Sequence, residues 1–272
     1  MAKTIFISGA SRGFGKLWAG AFLKEGYNVV ATARNTDALT DLANQYEDRL
    51  LSIRLDVNDR AACLAAVHQA QEYFGSIDVL INNAGYGLMG CVEEVTEDQA
   101  RGIFDTNFFG LLWLTQAVLP VMRAQGRGHI IQITSVLGLT TWPTMGLYNS
   151  TKFAVEGLSE TLAAEVKGLG IKVTMVEPAA YATEFGTVSP ARAESLPAYD
   201  DLKAAFMAGL TDLPLGQPDA TPTAMIQLVE SSNPPLRLLL GSFGYPIVKE
   251  AYAGRLAEWD AWQHVSVAAQ GA

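Results

Sequence analysis

Tyr148 and Lys152 stand four residues apart in "LYNSTK", a spacing that puts both side chains on one face of a helix, a turn apart. Together they can move protons. A free phenol titrates near pH ~10, too high for a proton shuttle at neutrality. An ammonium ion ~4 Å away, at an effective dielectric of ~20, favours the phenolate by about 4 kcal/mol. That is roughly three pKa units at ~1.4 kcal/mol each, enough for a general acid/base near neutral pH. The same spacing recurs at Tyr199–Lys203 and Tyr245–Lys249, so the surroundings decide. Tyr199 sits in a polar, proline-flanked stretch, and Pro246 follows Tyr245. Both read as surface or packing tyrosines. Tyr148 instead comes thirteen residues after a strand-like run ending in Thr134-Ser135, and it opens a long amphipathic segment. The Ser135 hydroxyl can hydrogen-bond a substrate oxygen and steady charge developing there.

A second set of residues is suited to binding. "SGASRGFG" places Gly9, Gly13 and Gly15 around Ser11, Arg12 and Phe14, in a Gly-x3-Gly-x-Gly spacing. Glycine lets a backbone turn tightly and approach a ligand closely. The helix start that follows favours a pyrophosphate. In "ATARN" no acidic residue stands where one would hydrogen-bond an adenosine ribose; Arg34 occupies that region. Arg12 and Arg34 suit a 2′-phosphate, which accepts paired hydrogen bonds, and this points to NADP rather than NAD. Asp56, before Val57, can accept from an adenine amino group or cap the next helix. In "NNAG", Asn83, Ala84 and Gly85 leave room for a flat ligand after a buried strand.

The elements that must position these residues follow from apolar patterning. Strand-like runs lie at 4–8, 28–33, 50–57, 77–83, 128–135, 171–177 and 236–241. Their Ile/Val/Leu continuity suits strands covered on both faces. Helices are expected at 15–26, 37–46, 59–74, 97–125 and 147–168. Thr96 with Gln99 has capping-box spacing, and Gly26 and Gly75 sit where helices should stop. Strict alternation implies an α/β, doubly wound parallel sheet of about seven strands with helices on both faces. Ligands bind such a sheet at the carboxyl ends of its strands.

Composition narrows the function classes. The chain has 272 residues, 49% of them hydrophobic, and a formal net charge of −9. No basic face offers itself to nucleic acid. No linker, charge run or repeat divides the chain, so a single domain over 1–272 is expected. The N-terminus lacks a secretory pattern. The most apolar segment, 108–122, is shorter than the ~20 residues that span a bilayer, so no membrane partner is expected. Two cysteines, Cys63 and Cys91, make no disulfide framework and fit a reducing cytoplasm. Three scattered histidines give no metal-ligand spacing, and no metal is expected.

Read together, "SGASRGFG", "LDV", "NNAG", "TNFFG", "ITS", "YNSTK" and "EPAAYAT" are similar in order and separation to the motifs of the short-chain dehydrogenase/reductase family, over about residues 4–185. The resemblance implies a Rossmann fold and hydride transfer between a nicotinamide cofactor, NADP(H), and a carbonyl or alcohol carbon. It maps a catalytic tetrad onto Asn107, Ser135, Tyr148 and Lys152. It gives Lys152 the nicotinamide ribose hydroxyls and Asn107 a water in a proton relay. Thr183, after Pro178, would contact the nicotinamide carboxamide. It also implies a homodimer or homotetramer. Ser8, Phe14 and Ala179 depart from the family's usual threonine, isoleucine and glycine; the last two bear on the substrate pocket. Tyr86, Ser135, Leu137, Trp142, Met145 and Tyr181 lie near the expected site in sequence and suit a lipophilic or aryl ketone. Residues 186–215, rich in Ala and Pro, are expected to cover the pocket. The main expectation is an NADPH-dependent carbonyl reductase. A dehydrogenase running mainly in oxidation and a non-catalytic NADP-sensing module are the alternatives.

Overall fold

The apolar runs lie side by side at the centre of the molecule. The computed structural model describes residues 2–183, 191–211 and 213–271. In chain order the elements are β1 (Thr4–Ser8), α1 (Gly13–Lys24), β2 (Asn28–Ala33), α2 (Thr40–Gln45), β3 (Leu50–Arg54), α3 (Arg60–Phe74), β4 (Val79–Asn82), β5 (Leu88–Met89), α4 (Glu97–Phe104), α5 (Leu111–Gln125), β6 (Gly128–Ile133), α6 (Gly146–Val166), β7 (Ile171–Pro178), β8 (Ala191–Arg192), α7 (Asp200–Gly209), α8 (Thr221–Glu230), β9 (Arg237–Leu240) and α9 (Gly244–Ala269). Among the described residues, seven strands form one sheet in the order β3-β2-β1-β4-β6-β7-β9, parallel throughout. The winding direction reverses between β1 and β4, so their carboxyl ends flank the crevice typical of doubly wound sheets.

Both faces of the sheet are covered, as continuous apolar strands require. On one face Val67 of α3, Leu114 and Val118 of α5 and Leu162 of α6 pack on Phe6, Leu80 and Ile130. On the other, Trp18 and Phe22 of α1 and Met225 and Leu228 of α8 pack on Ile5, Ile7 and Val29. Full burial of such a side chain is worth about 1.5–3 kcal/mol. The indole N–H of Trp18 donates to Thr221 Oγ1 at 2.8 Å, tying the first helix to one 203 residues later.

Local signals fix the helix ends. The Thr96/Gln99 capping box forms in full, Asp59 caps α3 through Ala62 N, and Gly75 takes the left-handed turn that ends α3. Several boundaries differ from expectation. The strands end at Arg54, Asn82 and Ile133, with one further backbone bond each from Leu55 and Thr134, because the residues beyond leave the sheet to form the loops at its carboxyl edge. The expected helix over 97–125 is two helices joined by a wide π turn, Asp105–Gly110. Helices α7, α8 and α9 were not anticipated. From Leu256 onward every described residue of α9 is exposed, Trp259 and Trp262 included. No described helix is long and apolar enough to cross a membrane.

Candidate active site

The floor of the site forms where β6 and α6 meet. β6 stops at Ile133, and Thr134 N still bonds Val176 O of β7 at 2.8 Å. Ser135 then turns outward, its Oγ accepting from Leu137 N at 3.1 Å. Tyr148 sits in the first turn of α6, 5% exposed, and its phenol shares a hydrogen bond with Ser135. One turn on, the Lys152 ammonium donates to Ile133 O at 2.8 Å and lies 5.7 Å from the centre of the Tyr148 ring.

The electrostatics correct the expectation of a phenol simply acidified by its neighbour. Burial pushes Tyr148 up to about 12, with the Ser135 bond pulling the other way. Burial also pulls Lys152 down to about 8, while the charge of Glu156 holds it up. Desolvation penalises both charged forms at once.

Asn107 occupies the π turn, 1% exposed. π turns of this kind recur at functional sites. Its Oδ1 accepts from Tyr86 N at 3.0 Å, and its Nδ2 donates to Tyr86 O at 2.9 Å and to Thr151 Oγ1 at 3.3 Å. The amide thus clamps the loop after β4 and keeps one Oδ1 lone pair in reserve. A side chain at Gly85 would put its Cβ 3.0 Å from Asn107 Oδ1 and 4.0 Å from Lys152 Nζ, so glycine there holds open the gap between those two polar atoms.

The glycine turn joins β1 to α1 in the crevice. A Cβ on Gly15 would lie 2.4 Å from Gly9 O and 2.7 Å from Asn83 Nδ2, so only glycine fits where the helix meets the strand ends. Gly13, at φ +52°, has open space above it. No side chain caps α1 and no acidic residue lies in its first turn, which leaves its amides facing outward. Asn83 Nδ2 donates to Ser8 O and Gly9 O, and Ser8 Oγ accepts from Asn83 N and Ala84 N. The two loops are laced into one rigid rim. Arg12 and Arg34 are exposed at that edge. Asp56 is exposed too and accepts from Asn58 N at 3.0 Å; Asp59, not Asp56, caps α3. Val57 is buried against Gly110. Pro178 ends β7, and Thr183 N bonds Tyr181 O at 2.8 Å. An open cradle of amides with cations at its rim fits a dinucleotide pyrophosphate.

The side expected to face a substrate is apolar. Leu137, Trp142 and Met145 belong with Leu88, Val136 and Tyr148 to one cluster. Tyr86 packs on it with its hydroxyl toward Gly102 of α4. Tyr181 does not join this cluster. It packs edge-on to Phe14, 5.2 Å between ring centres, and against Gly216. Phe14 in turn stacks on Trp18 at 5.0 Å, so the aromatic residue at this departure from the family pattern serves packing.

The cover expected at 186–215 is only partly a loop. Residues 186–190 and 212 lie outside the described residues, but β8 pairs with β5 and α7 follows. Sequence reasoning missed the residue that fastens it. Glu94, its side chain 1% exposed, accepts from Leu196 N and Cys91 N at 2.7 Å each, and pairs with Lys203. The Leu196 amide and then the Lys203 hydrogen bond hold its carboxyl down at about 2. Tyr199, of the second Tyr–Lys pair, donates to Glu93 at 2.6 Å on the surface; Tyr245, of the third, is 62% exposed.

Comparison with known proteins agrees with the fold. Residues 3–193 match the short chain dehydrogenase family. The chain is 36% identical over 277 residues to oxidoreductase BOA17 of Botryotinia fuckeliana, covering 98% of this chain and 99% of that one. It is 36% identical over 256 residues to a 3-ketodihydrosphingosine reductase of Bacteroides thetaiotaomicron, covering 92% and 91%. The crystal structure of a short-chain dehydrogenase from Streptomyces avermitilis superposes with TM-score 0.91 at 36% identity, covering 98% of both chains. Nucleotide-bound structures also match: a Burkholderia phymatum enzyme with NAD (26% identity, TM-score 0.79, 91% and 92% covered) and ElxO with NADP (28%, 0.74, 88% and 97%).

Proposed function

Because this chain belongs to the short-chain dehydrogenase family of oxidoreductases, we propose that it reduces a lipophilic or aryl ketone or aldehyde with NADPH, reversibly. The observation that carries this reading is the meeting of Ser135, Tyr148 and Lys152 beside an apolar cluster and next to the loop that Asn83 laces to the glycine turn. Gly9, Ser11, Arg12, Gly13, Phe14 and Gly15 would hold the pyrophosphate. Asp56 and Val57 would lie at the adenine, and Asn83, Ala84, Gly85, Pro178 and Thr183 toward the nicotinamide. Arg12 and Arg34 favour the 2′-phosphate. When bound, the dinucleotide supplies the hydride and, once oxidised, a positive charge.

The chain's own residues handle the oxygen. Ser135 binds the carbonyl oxygen and steadies the charge it gains. Tyr148 gives it a proton and becomes a phenolate. Burial resists that phenolate, and the Lys152 ammonium favours it. Lys152 would also hold the ribose hydroxyls of the dinucleotide, whose positive charge when oxidised would favour the phenolate further. The gap at Gly85, between Lys152 and the spare lone pair of Asn107, suits a water that returns a proton to the phenolate.

The apolar cluster and the name of the Bacteroides relative, a reductase of a ketone, support a lipophilic substrate. Phe109 and Phe153, exposed on the outer helices, support a homodimer or homotetramer. The deciding experiment is NADPH consumption against a panel of aryl, steroid-like and long-chain ketones, paired with NADP reduction by the matching alcohols. Turnover of lipophilic ketones is expected, at higher kcat/KM with NADPH than with NADH. Activity confined to small polar carbonyls, or to NADH, rejects the assignment.

A further inference from the structure

One helical turn beyond Lys152, two glutamates are shut inside the protein. Glu156 of α6 is 5% exposed and Glu177 of β7 is 0% exposed. Among the described residues, neither oxygen of Glu177 has a hydrogen-bond partner, and Glu156 Oε1 has none. One guanidinium serves both acids. Arg237 Nε of β9 lies 3.2 Å from Glu156 Oε2 and 3.6 Å from Glu177 Oε1, while its Nη2 donates to Glu160 at 2.9 Å. Two buried carboxylates beside a single cation that is already engaged elsewhere do not both stay ionised. A retained proton turns one acid into a donor and lessens the penalty of enclosing them together.

We propose that Glu156 and Glu177 share one proton and act as positioning residues for Lys152, setting a single negative charge a turn behind the ammonium so that it stays cationic in a site that would strip its proton. The groups facing the pair are Lys152 and Glu160 on α6, Arg237 on β9 and the Thr134 hydroxyl beyond β6. The charge balance follows this geometry. Burial, then the charge of Glu156, raise Glu177 to about 8 against the pull of Arg237. The acids titrate as a coupled pair, and their single charge at neutral pH is what supports Lys152. This rests on the role given to Lys152 above.

Thermal denaturation from pH 5 to pH 9 tests the shared proton without reference to activity. An acid whose folded pKa is raised contributes stability at low pH that is lost as pH climbs from the usual carboxylate range through about 8. Glu177→Gln removes that loss, so its Tm relative to the parent should rise from pH 5 to about pH 8 and then level off. A difference that does not change with pH overturns the shared proton. The kcat–pH profile then tests the link to Lys152. Glu156→Gln, or Glu156→Asp if the amide variant does not fold, should move the alkaline limb to lower pH. The shift expected for the amide is about one unit, a tenfold change in the ionisation constant, and the aspartate should fall between it and the parent. An unmoved limb overturns the positioning role. If no ketone or alcohol is turned over, the assigned function fails, while the Tm series still decides the proton and a fluorescence titration of NADPH binding against pH replaces the rate profile.

Discussion

Glu94, at the rim, and Glu177, of β7, each have a side chain only 1% exposed. Yet Glu94 is held down at about 2 and Glu177 is raised to about 8. Burial, then the charge of Glu156, dominates at Glu177, whereas hydrogen-bond donors overcome burial at Glu94. Glu94 meets two backbone amides and Lys203, whereas Glu177 meets no hydrogen-bond donor and has Arg237 only at 3.6 Å. Depth alone does not set a carboxyl's charge; what points at it does. The rim uses an ionised acid as a fastener, and the floor uses a protonated one to keep charge in balance around the reacting groups.

If the floor is where chemistry happens and the rim where parts are held, substitutions should separate the two. The largest effect is expected at Tyr148→Phe, which should cut turnover by about 10³-fold, within the range for loss of a general acid, while NADPH binding by fluorescence titration changes little. Near-parental turnover would erase the distinction. Arg34→Ala, at the cofactor edge, should weaken NADPH binding about 10-fold more than NADH binding if a charge-assisted pair to the 2′-phosphate is lost. Equal weakening of both would remove the case for NADP.

At the rim, Glu94→Gln should lower Tm by several degrees at neutral pH. A carboxyl with a depressed folded pKa contributes stability above the usual carboxylate range and loses it as pH falls toward about 2. The gap between variant and parent should therefore narrow on acidification; a constant gap would mean that Glu94's charge is irrelevant to the fastening. The smallest effect is expected from Tyr199→Phe, which removes an exposed bond to Glu93. A Tm change under about 1 °C is expected, as for most surface substitutions.

The sheet was legible because buried parallel strands are apolar throughout, and such runs are local features. The glycine turn and the Tyr148–Lys152 spacing were legible for the same reason. Ser135 was found from its place at the end of a strand. What escaped depends on distant partners. Nothing around Glu94 announces Leu196 and Lys203, about a hundred residues on. Glu156 stands at helical spacing from Lys152, but Glu177 reaches it only because β7 lies beside β6. The π turn has no residue type of its own, so 97–125 read as one helix. Nearness in sequence said nothing of Phe14, the ring that Tyr181 meets edge-on. Helix α9 escaped because, past Ile247 and Val248, most of its apolar residues face outward and no long buried stripe marks it.

The π turn at Asp105–Gly110 holds one residue more than an ordinary helix needs for the same rotation. Each α-helical residue advances the helix by about 100° and each residue of a wider turn by less, so removing one residue from this turn would let an ordinary helix close across it with the downstream register kept. Leu114 and Val118 would stay packed against the sheet, while the carboxamide of Asn107 would leave the loop it clamps. A single-codon deletion here should therefore spare the core and loosen the loop after β4.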